Sequence, residues 1–279
     1  MPRPRKRFAQ HWLRSEAALA KIVGAASLAP DDRVLEIGPG TGVLTRKLLP
    51  LVQSLIAVEI DRDLAQALTK QFAGVKHFHL IESDFLTIDL PAQLAHFPEF
   101  QQPDRQLPNK VVANIPYNIT GPILEKLLGT IAQPNPQPFQ VIVLLMQKEV
   151  AERICAAPGT KVFGALSVRV QYLAEAEWIC NVPAKAFQPP PKVDSAVVRL
   201  VPRQFQPSTT NPHQLDMLVK LGFATKRKML RNNIQCFVER DRLSHILEDM
   251  GINPQARAEN LSVAQWVALS NQLELNSQN

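Results

Sequence analysis

Between Val111 and Thr120 the chain reads VVANIPYNIT, an apolar run that ends in Asn114, Ile115, Pro116 and Tyr117. An exocyclic adenine amine is a poor nucleophile because its lone pair is delocalised into the ring. Two acceptors, the Asn114 side-chain oxygen and the Ile115 backbone carbonyl, would hold its N–H groups and turn the lone pair towards a methyl donor. Pro116 stiffens the turn and removes a competing donor, and Tyr117 offers a stacking face worth about 1–3 kcal/mol. No carboxylate base is required, since the proton can leave once the nitrogen is cationic. In isolation the same residues would equally make an Asn/Pro turn with a buried tyrosine.

A second cluster lies upstream. EIGPGTG, Glu36 to Gly42, places Gly38, Gly40 and Gly42 where backbone can approach a ligand and open a helix. Glu59 follows roughly twenty residues after Gly38, the spacing of an acid that accepts hydrogen bonds from a ribose diol. ESDF then offers Asp84. Dinucleotide folds share such a loop and acid, but G-x-G-x-G with Glu36 before it suits a ligand without pyrophosphate, such as a sulfonium bearing an amino acid. A ligand-free turn at the glycines, and a local cap at Asp84, are the plainer readings. His77 and His79 share a strand face without a third metal ligand at a recognisable spacing. Neither G-x-S-x-G nor a P-loop lysine occurs.

These residues need a scaffold that brings strand ends together. RVLEIG, SLIAVEI, VKHFHLI, KVVAN and FQVIVLLM read as successive buried strands. TGVLTRKLLPLV, DRDLAQALTKQF and GPILEKLLGTI between them have helical spacing, as does the stretch from about Trp12 to Leu28. The pattern predicts right-handed βαβ units, a parallel sheet with helices on both faces, and ligands beyond the strands' carboxyl ends. Leu90 to Asn109, punctuated by Pro91, Pro98, Pro103 and Pro108, reads as a surface insertion. AEAEWICNVP and DSAVVRLV add two late strands at the sheet edge. A linker rich in Pro, Ser, Thr and Asn puts a domain boundary near Gln206, between a domain of residues 1–206 and a helical one of residues 207–279.

A chain of 279 residues, 46% hydrophobic, fills a sizeable core unaided. Cys155, Cys180 and Cys236 are odd in number and far apart, which fits a reduced, cytoplasmic setting and no disulfide framework or zinc site. VIVLLM is too short to span a bilayer, so no membrane partner is expected. Net charge is +6. The basic residues crowd at Arg3, Arg5, Lys6, Arg7 and Arg14, and again in KLGFATKRKMLRNN, as a polyanion-binding surface would require; a solvated helix face is the plain alternative.

Assembled, these residues resemble the ribosomal RNA adenine dimethyltransferases, in their bacterial small-subunit branch, over nearly the whole chain. RFAQHWL is similar to the family's entry motif, VLEIGPGTGVLT to its donor loop, AVEID to its ribose acid and SDFL to its adenine-side Asp. NIPYNIT resembles the catalytic motif, FQPPPKVDSAVVRL a later family segment and FATKRKMLRNN a C-terminal basic helix. Ala9 and Trp12 stand where Gly and Phe are usual, and Lys226 and Met229 where Arg and Thr or Ser are common. The resemblance implies a Rossmann-like α/β methyltransferase sheet with a small all-α C-terminal domain, S-adenosylmethionine as donor and no metal. It implies that Gln10, His11 and Leu13 close over the donor, with Gly38, Gly40, Glu59, Asp84 and Asn114 completing the pocket. Phe187 would pack a flipped adenine opposite Tyr117. Lys226, Arg227, Lys228 and Arg231 would hold rRNA. The implied reaction is dimethylation of the N6 amines of two adjacent adenosines in the 3′-terminal hairpin loop of 16S rRNA, by a monomer acting on the small ribosomal subunit during its biogenesis. Competing readings are a resistance-type 23S rRNA adenine methylase, disfavoured by the long PPPKVDSAVVRLVP segment, and a non-catalytic RNA-binding assembly or transcription factor on the same fold. An NAD-dependent oxidoreductase would lack a hydride-transfer base.

Overall fold

The computed structural model describes residues 10–101 and 107–275. Arg3, Arg5, Lys6, Arg7 and Ala9 lie outside them. Seven strands form one sheet: β1 (Arg33–Ile37), β2 (Ser54–Glu59), β3 (Phe78–Glu82), β4 (Lys110–Asn114), β5 (Val141–Gln147), β6 (Ala174–Val182) and β7 (Ser195–Pro202). Their order is β3-β2-β1-β4-β5-β7-β6. The first five pair in parallel and β7 runs antiparallel to β5. Every residue of β2 is buried, and β1, β4 and β5 are buried but for one end residue, as expected of strands covered on both faces. Edge strands β3 and β6 alternate instead. Strand order reverses between β1 and β4, which opens a crevice beyond their carboxyl ends.

Helix α1 (Glu16–Ala25) begins later than its apolar pattern predicted. Ser15 caps it, Oγ accepting the Ala18 N–H at 3.3 Å, while Trp12–Leu13 leaves the helix to pair antiparallel with Phe187–Gln188. Over residues 41–52 the predicted helix shrinks to α2 (Thr45–Leu48) and a 3₁₀ turn at Leu49–Leu51, because Gly42 sits at φ 72° and Pro50 lacks an N–H. Helix α3 (Arg62–Gln71) follows β2. In the proline-punctuated stretch, α4 (Leu90–Leu94) and a 3₁₀ turn at Pro98–Phe100 bury Leu94 and Phe100, and Phe97 and Phe100 meet the His79 ring edge-on at 4.7 and 5.5 Å. What reads as surface insertion is partly core. Helix α5 (Thr120–Leu128) comes after residues 114–117.

The described residues divide into two compact units. The first takes residues up to Leu127 with Gln137–Ala151 and Glu177–Pro202; the second takes Leu128–Pro136, Glu152–Ala176 and the chain from Arg203. The composition change near Gln206 thus falls close to one division, but the C-terminal helices share their unit with two earlier segments. Helix α6 (Lys148–Ile154) crosses a division. In the second unit, α7 (Ala165–Leu173), α8 (Pro212–Gly222), α9 (Leu230–Asn233), α10 (Arg240–Asp249) and α11 (Val263–Leu275) enclose Phe163, Leu215, Leu218, Leu230, Leu243 and Trp266. A Cβ on Gly222 would stand 2.4 Å from the Trp266 ring, so that packing requires glycine.

At the amino ends of β1 and β4 a polar network is buried in the first unit. Lys110 Nζ lies 2.7 Å from Asp32 Oδ2 and donates to the Ser27 carbonyl at 2.6 Å, and Asn109 Nδ2 donates to Asp32 Oδ1 at 2.7 Å. Burial pushes the Asp32 carboxyl up, but hydrogen bonds from Lys110, the Ala29 N–H and Asn109 outweigh it and leave the group below its ordinary value. Its stabilising effect is therefore present above the ordinary carboxylate range and lost as pH falls through the lowered value. Lys110→Met strands a buried carboxylate, and urea unfolding at neutral pH should show a loss of about 3–5 kcal/mol.

Candidate active site

One cavity of about 330 Å³ in the first unit collects the residues at the strand ends. Gln10, His11 and Leu13 line it with Gly38, Gly40, Glu59, Asp84 and residues 114–117. The strand ladder sets their heights, because bonds continue one step past each strand: Gly38 N–H to Val58 O at 2.9 Å, Ser83 N–H to Glu59 O at 3.0 Å and Ile115 N–H to Leu145 O at 3.2 Å.

Glu59 is 4% exposed. Its Oε2 accepts the Gly40 N–H at 3.0 Å and its Oε1 the Asp61 N–H at 2.9 Å; the Ile60 N–H also bonds the carboxylate, which still leaves acceptor capacity for a further donor. Gly40 turns its N–H to this carboxylate at φ 60°, with Trp12 packed where a Cβ would stand at 3.3 Å. Gln10 Nε2 donates to Asp61 Oδ2 at 3.1 Å and so ties the entry segment to the same turn. Asp84 does cap a local turn, Oδ1 accepting the Leu86 N–H at 2.9 Å, while also lining the cavity. Lys126 on α5 holds that turn from behind, donating to Leu86 O at 3.1 Å and Ile88 O at 2.7 Å with the Phe85 ring 5.2 Å away.

The target-side wall is built where β4 ends. Asn114 Nδ2 donates to His11 O at 3.3 Å, which fixes the amide and leaves Oδ1 as its acceptor. Tyr117 stacks near His11, centroids 5.9 Å apart at 21°. Burial raises the phenol's pKa, so it stays protonated, and its hydroxyl meets Ser195 Oγ at 2.5 Å.

Phe187 is not among the residues lining this cavity: it pairs with Leu13 in the short ribbon and is 3% exposed, in one hydrophobic cluster with Leu13, Leu19 and Val197. Nor do Lys226, Arg227 and Lys228 lie on a helix. They are exposed on a turn between α8 and α9, where Lys228 N–H bonds Thr225 O at 3.1 Å and Asn233 Nδ2 takes up Gly222 O and Thr225 O at 2.5 and 3.0 Å. Arg231 lies on α9, Nη1 3.5 Å from Ser244 Oγ, and all four belong to the second unit. Trp12, Ile60, Phe85 and Leu86 line the cavity without having been singled out as binding residues. Among them Ile60, a large apolar residue 45% exposed directly after Glu59, carried a signal in its position.

Among the described residues, no group of three or more His, Cys, Asp or Glu side chains could hold a metal ion, and no helix is long and apolar enough to cross a membrane. The chain matches the family model for ribosomal RNA adenine dimethylase over residues 1–275. It is 66% identical to the Nostoc punctiforme ribosomal RNA small subunit methyltransferase A, over 99% of this chain and 97% of that one. The Synechococcus elongatus protein of the same name is 54% identical over 96% and 95%. Of solved structures, a dimethyladenosine transferase from Plasmodium falciparum is similar with a TM-score of 0.77 at 29% identity, covering 96% of this chain and 98% of that one. The 23S rRNA methyltransferase ErmE is similar at 0.73 and 27%, covering 94% and 99%.

Glu36, also in the cavity lining, is 1% exposed, with Thr45 Oγ1 donating to its Oε2 at 2.7 Å. Burial, with the nearby Glu59 charge adding to it, raises its carboxyl to about 8. A carboxyl raised on folding contributes fully below its unfolded value and costs stability as pH climbs through the folded one. Thermal unfolding should therefore show the parent losing stability between about pH 4.5 and pH 8. Glu36→Gln should flatten that loss and unfold at a higher temperature than the parent at pH 9.

Proposed function

Since the chain belongs to the ribosomal RNA adenine dimethylase family, we propose that it dimethylates the N6 amines of two adjacent adenosines in the 3′-terminal hairpin loop of 16S rRNA. It acts as a cytoplasmic monomer on the small ribosomal subunit during its biogenesis, with S-adenosylmethionine as donor. The observation that carries the chemistry is the Asn114 amide, whose nitrogen is committed to His11 O and whose oxygen is thereby the acceptor at the end of β4.

The cavity fits the donor. Trp12 Nε1, in its lining, is buried without a hydrogen-bond partner, as a donor awaiting an acceptor would be. Gly38, with only Pro116 in ordinary contact where a Cβ would stand, leaves room for backbone contact with the amino-acid end, the remaining acceptor capacity of Glu59 suits a ribose diol, and Asp84 suits an exocyclic amine. When bound, the donor supplies an electrophilic methyl group on a sulfonium. Asn114 Oδ1 and the Ile115 carbonyl accept the two N–H groups of the target amine and aim its lone pair, which converts a poor nucleophile into an oriented one. Tyr117 supports the base by stacking, and the proton departs after transfer without a dedicated carboxylate base.

The substrate is held elsewhere as well. Lys226, Arg227, Lys228 and Arg231 contact rRNA phosphates, which fix register without reading sequence. The exposure of Lys226, Arg227 and Lys228 on a turn supports this role for those three, with Arg231 half-buried on the helix that follows.

Incubation with labelled S-adenosylmethionine and undermethylated small subunits should place dimethyladenosine in the 3′-terminal loop. Label confined to free large-subunit RNA would instead assign the ErmE-like reaction, and tight RNA binding with no transfer a non-catalytic factor. Asn114→Ala should abolish transfer while leaving rRNA affinity within about twofold. Parallel loss of binding would mean that Asn114 serves only the fold. Replacing Lys226, Arg227 and Lys228 by Gln should weaken rRNA binding and lower the salt slope by roughly 0.7–0.9 for each phosphate no longer neutralised. An unchanged slope would place the three cations away from RNA.

A further inference from the structure

Residues 187–195, FQPPPKVDS, begin at the buried Phe187. His11 Nδ1 lies 2.8 Å from the Pro189 carbonyl oxygen, so that nitrogen carries the hydrogen and donates it. Trp12 and Leu13 pair with Gln188 and Phe187, and Arg14 N–H donates to Ala186 O at 2.8 Å. At the other end of the segment Ser195 is fully buried, in register with Gln147 on β5, and its Oγ meets the Tyr117 hydroxyl at 2.5 Å. The two aromatic rings at the target-side wall, His11 and Tyr117, are thus gripped from behind by the two ends of one segment.

We infer that Ser195 is a positioning residue for methyl transfer: its hydroxyl holds the Tyr117 phenol so that the ring presents its stacking face to the target adenine. The inference rests on the proposed adenine methylation. Tyr117 sits in a single 3₁₀ turn between Pro116 and α5, with no regular element to fix its ring. Ser195, by contrast, opens a strand paired with β5 from Ser195 to Leu200, so its Oγ is a rigid reference point. A tyrosine whose hydroxyl is tied to that point loses ring freedom before the base arrives, which lowers the ordering cost in the transition state. The raised phenol pKa is consistent with this, since a neutral hydroxyl can donate to Ser195 or accept from it.

The test is a double-mutant cycle on the full chain with undermethylated small subunits, reading kcat and KM for the RNA separately and the donor's Kd by direct titration. Ser195→Ala and Tyr117→Phe, each removing one hydroxyl, should each lower kcat about tenfold, the size of one hydrogen bond expressed in the transition state. The double variant should be no slower than either single, and donor Kd should stay within about twofold in all three. Variants that keep the parent kcat, with at most a lower unfolding temperature, would reduce the contact to a structural one and overturn the inference. Effects that multiply to about a hundredfold would also overturn it, since the hydroxyls would then act independently. If Ser195→Ala fails to unfold cooperatively, Tyr117→Phe alone decides, because it keeps the ring and removes only the bond. A parent that transfers no methyl group overturns the proposed function and this inference with it; an active parent with unaffected variants overturns this inference alone.

Discussion

The cavity is organised around one buried carboxylate. Glu59 accepts the N–H of Gly40 with one oxygen and that of Asp61 with the other, so a single side chain binds the loop after β1 to the turn after β2. Asp61 extends the connection in two directions, capping α3 by accepting the Asp63 N–H at 3.1 Å and receiving Gln10 Nε2. Hydrogen bonds to an ionised acceptor are stronger than neutral ones, and a buried carboxylate stripped of them is costly. The glycine loop, the first turn of α3 and the entry segment are therefore mutually dependent. None could be repositioned without stranding Glu59.

That arrangement carries an electrostatic cost. Glu36 and Glu59 are both buried at the strand ends, each raised first by burial, and Glu36 also by its neighbour's charge. The backbone donors around Glu59 favour its ionised form, whereas Glu36 has the Thr45 hydroxyl and backbone amide. Two carboxyls of one chemical type are thus pulled apart in proton affinity by their surroundings. With Glu36 held neutral up to about pH 8, the hydrogen-bonded Glu59 carboxylate remains to favour a cationic sulfonium over a phosphate-bearing ligand.

Much of this was legible in the sequence. Continuous Val, Ile and Leu runs identified the buried parallel strands, and helical spacing between them implied the crossovers, so Gly38, Glu59, Asp84 and Asn114 had to emerge at one edge. Failures came where tertiary pairing decides local structure. Trp12 and Leu13 share the helical spacing of α1, yet their partner lies far along the chain at Phe187 and Gln188, and the ribbon takes them out of the helix. The same pairing holds Phe187 in the hydrophobic core. The basic residues Lys226, Arg227 and Lys228 look like a helix face until Asn233 draws its amide onto the carbonyls of Gly222 and Thr225. In each case the deciding contact joins residues that no local period connects.

On the proposed mechanism, adding two methyl groups to one nitrogen would place unequal demands on this wall. For the first transfer the amine brings two N–H groups, and Asn114 Oδ1 with the Ile115 carbonyl can engage both. For the second it brings one N–H and one methyl, so one acceptor loses its partner and a hydrogen bond of orientation disappears. Stacking on Tyr117 does not depend on the amine's hydrogens and is the restraint that carries over unchanged. A ring that is already held, by Ser195 at its hydroxyl and beside His11 across its face, is therefore worth most in the second step, when the polar clamp is half spent. On the proposed mechanism, the strand that delivers Asn114 would orient the first transfer and the segment that grips Tyr117 would sustain the second.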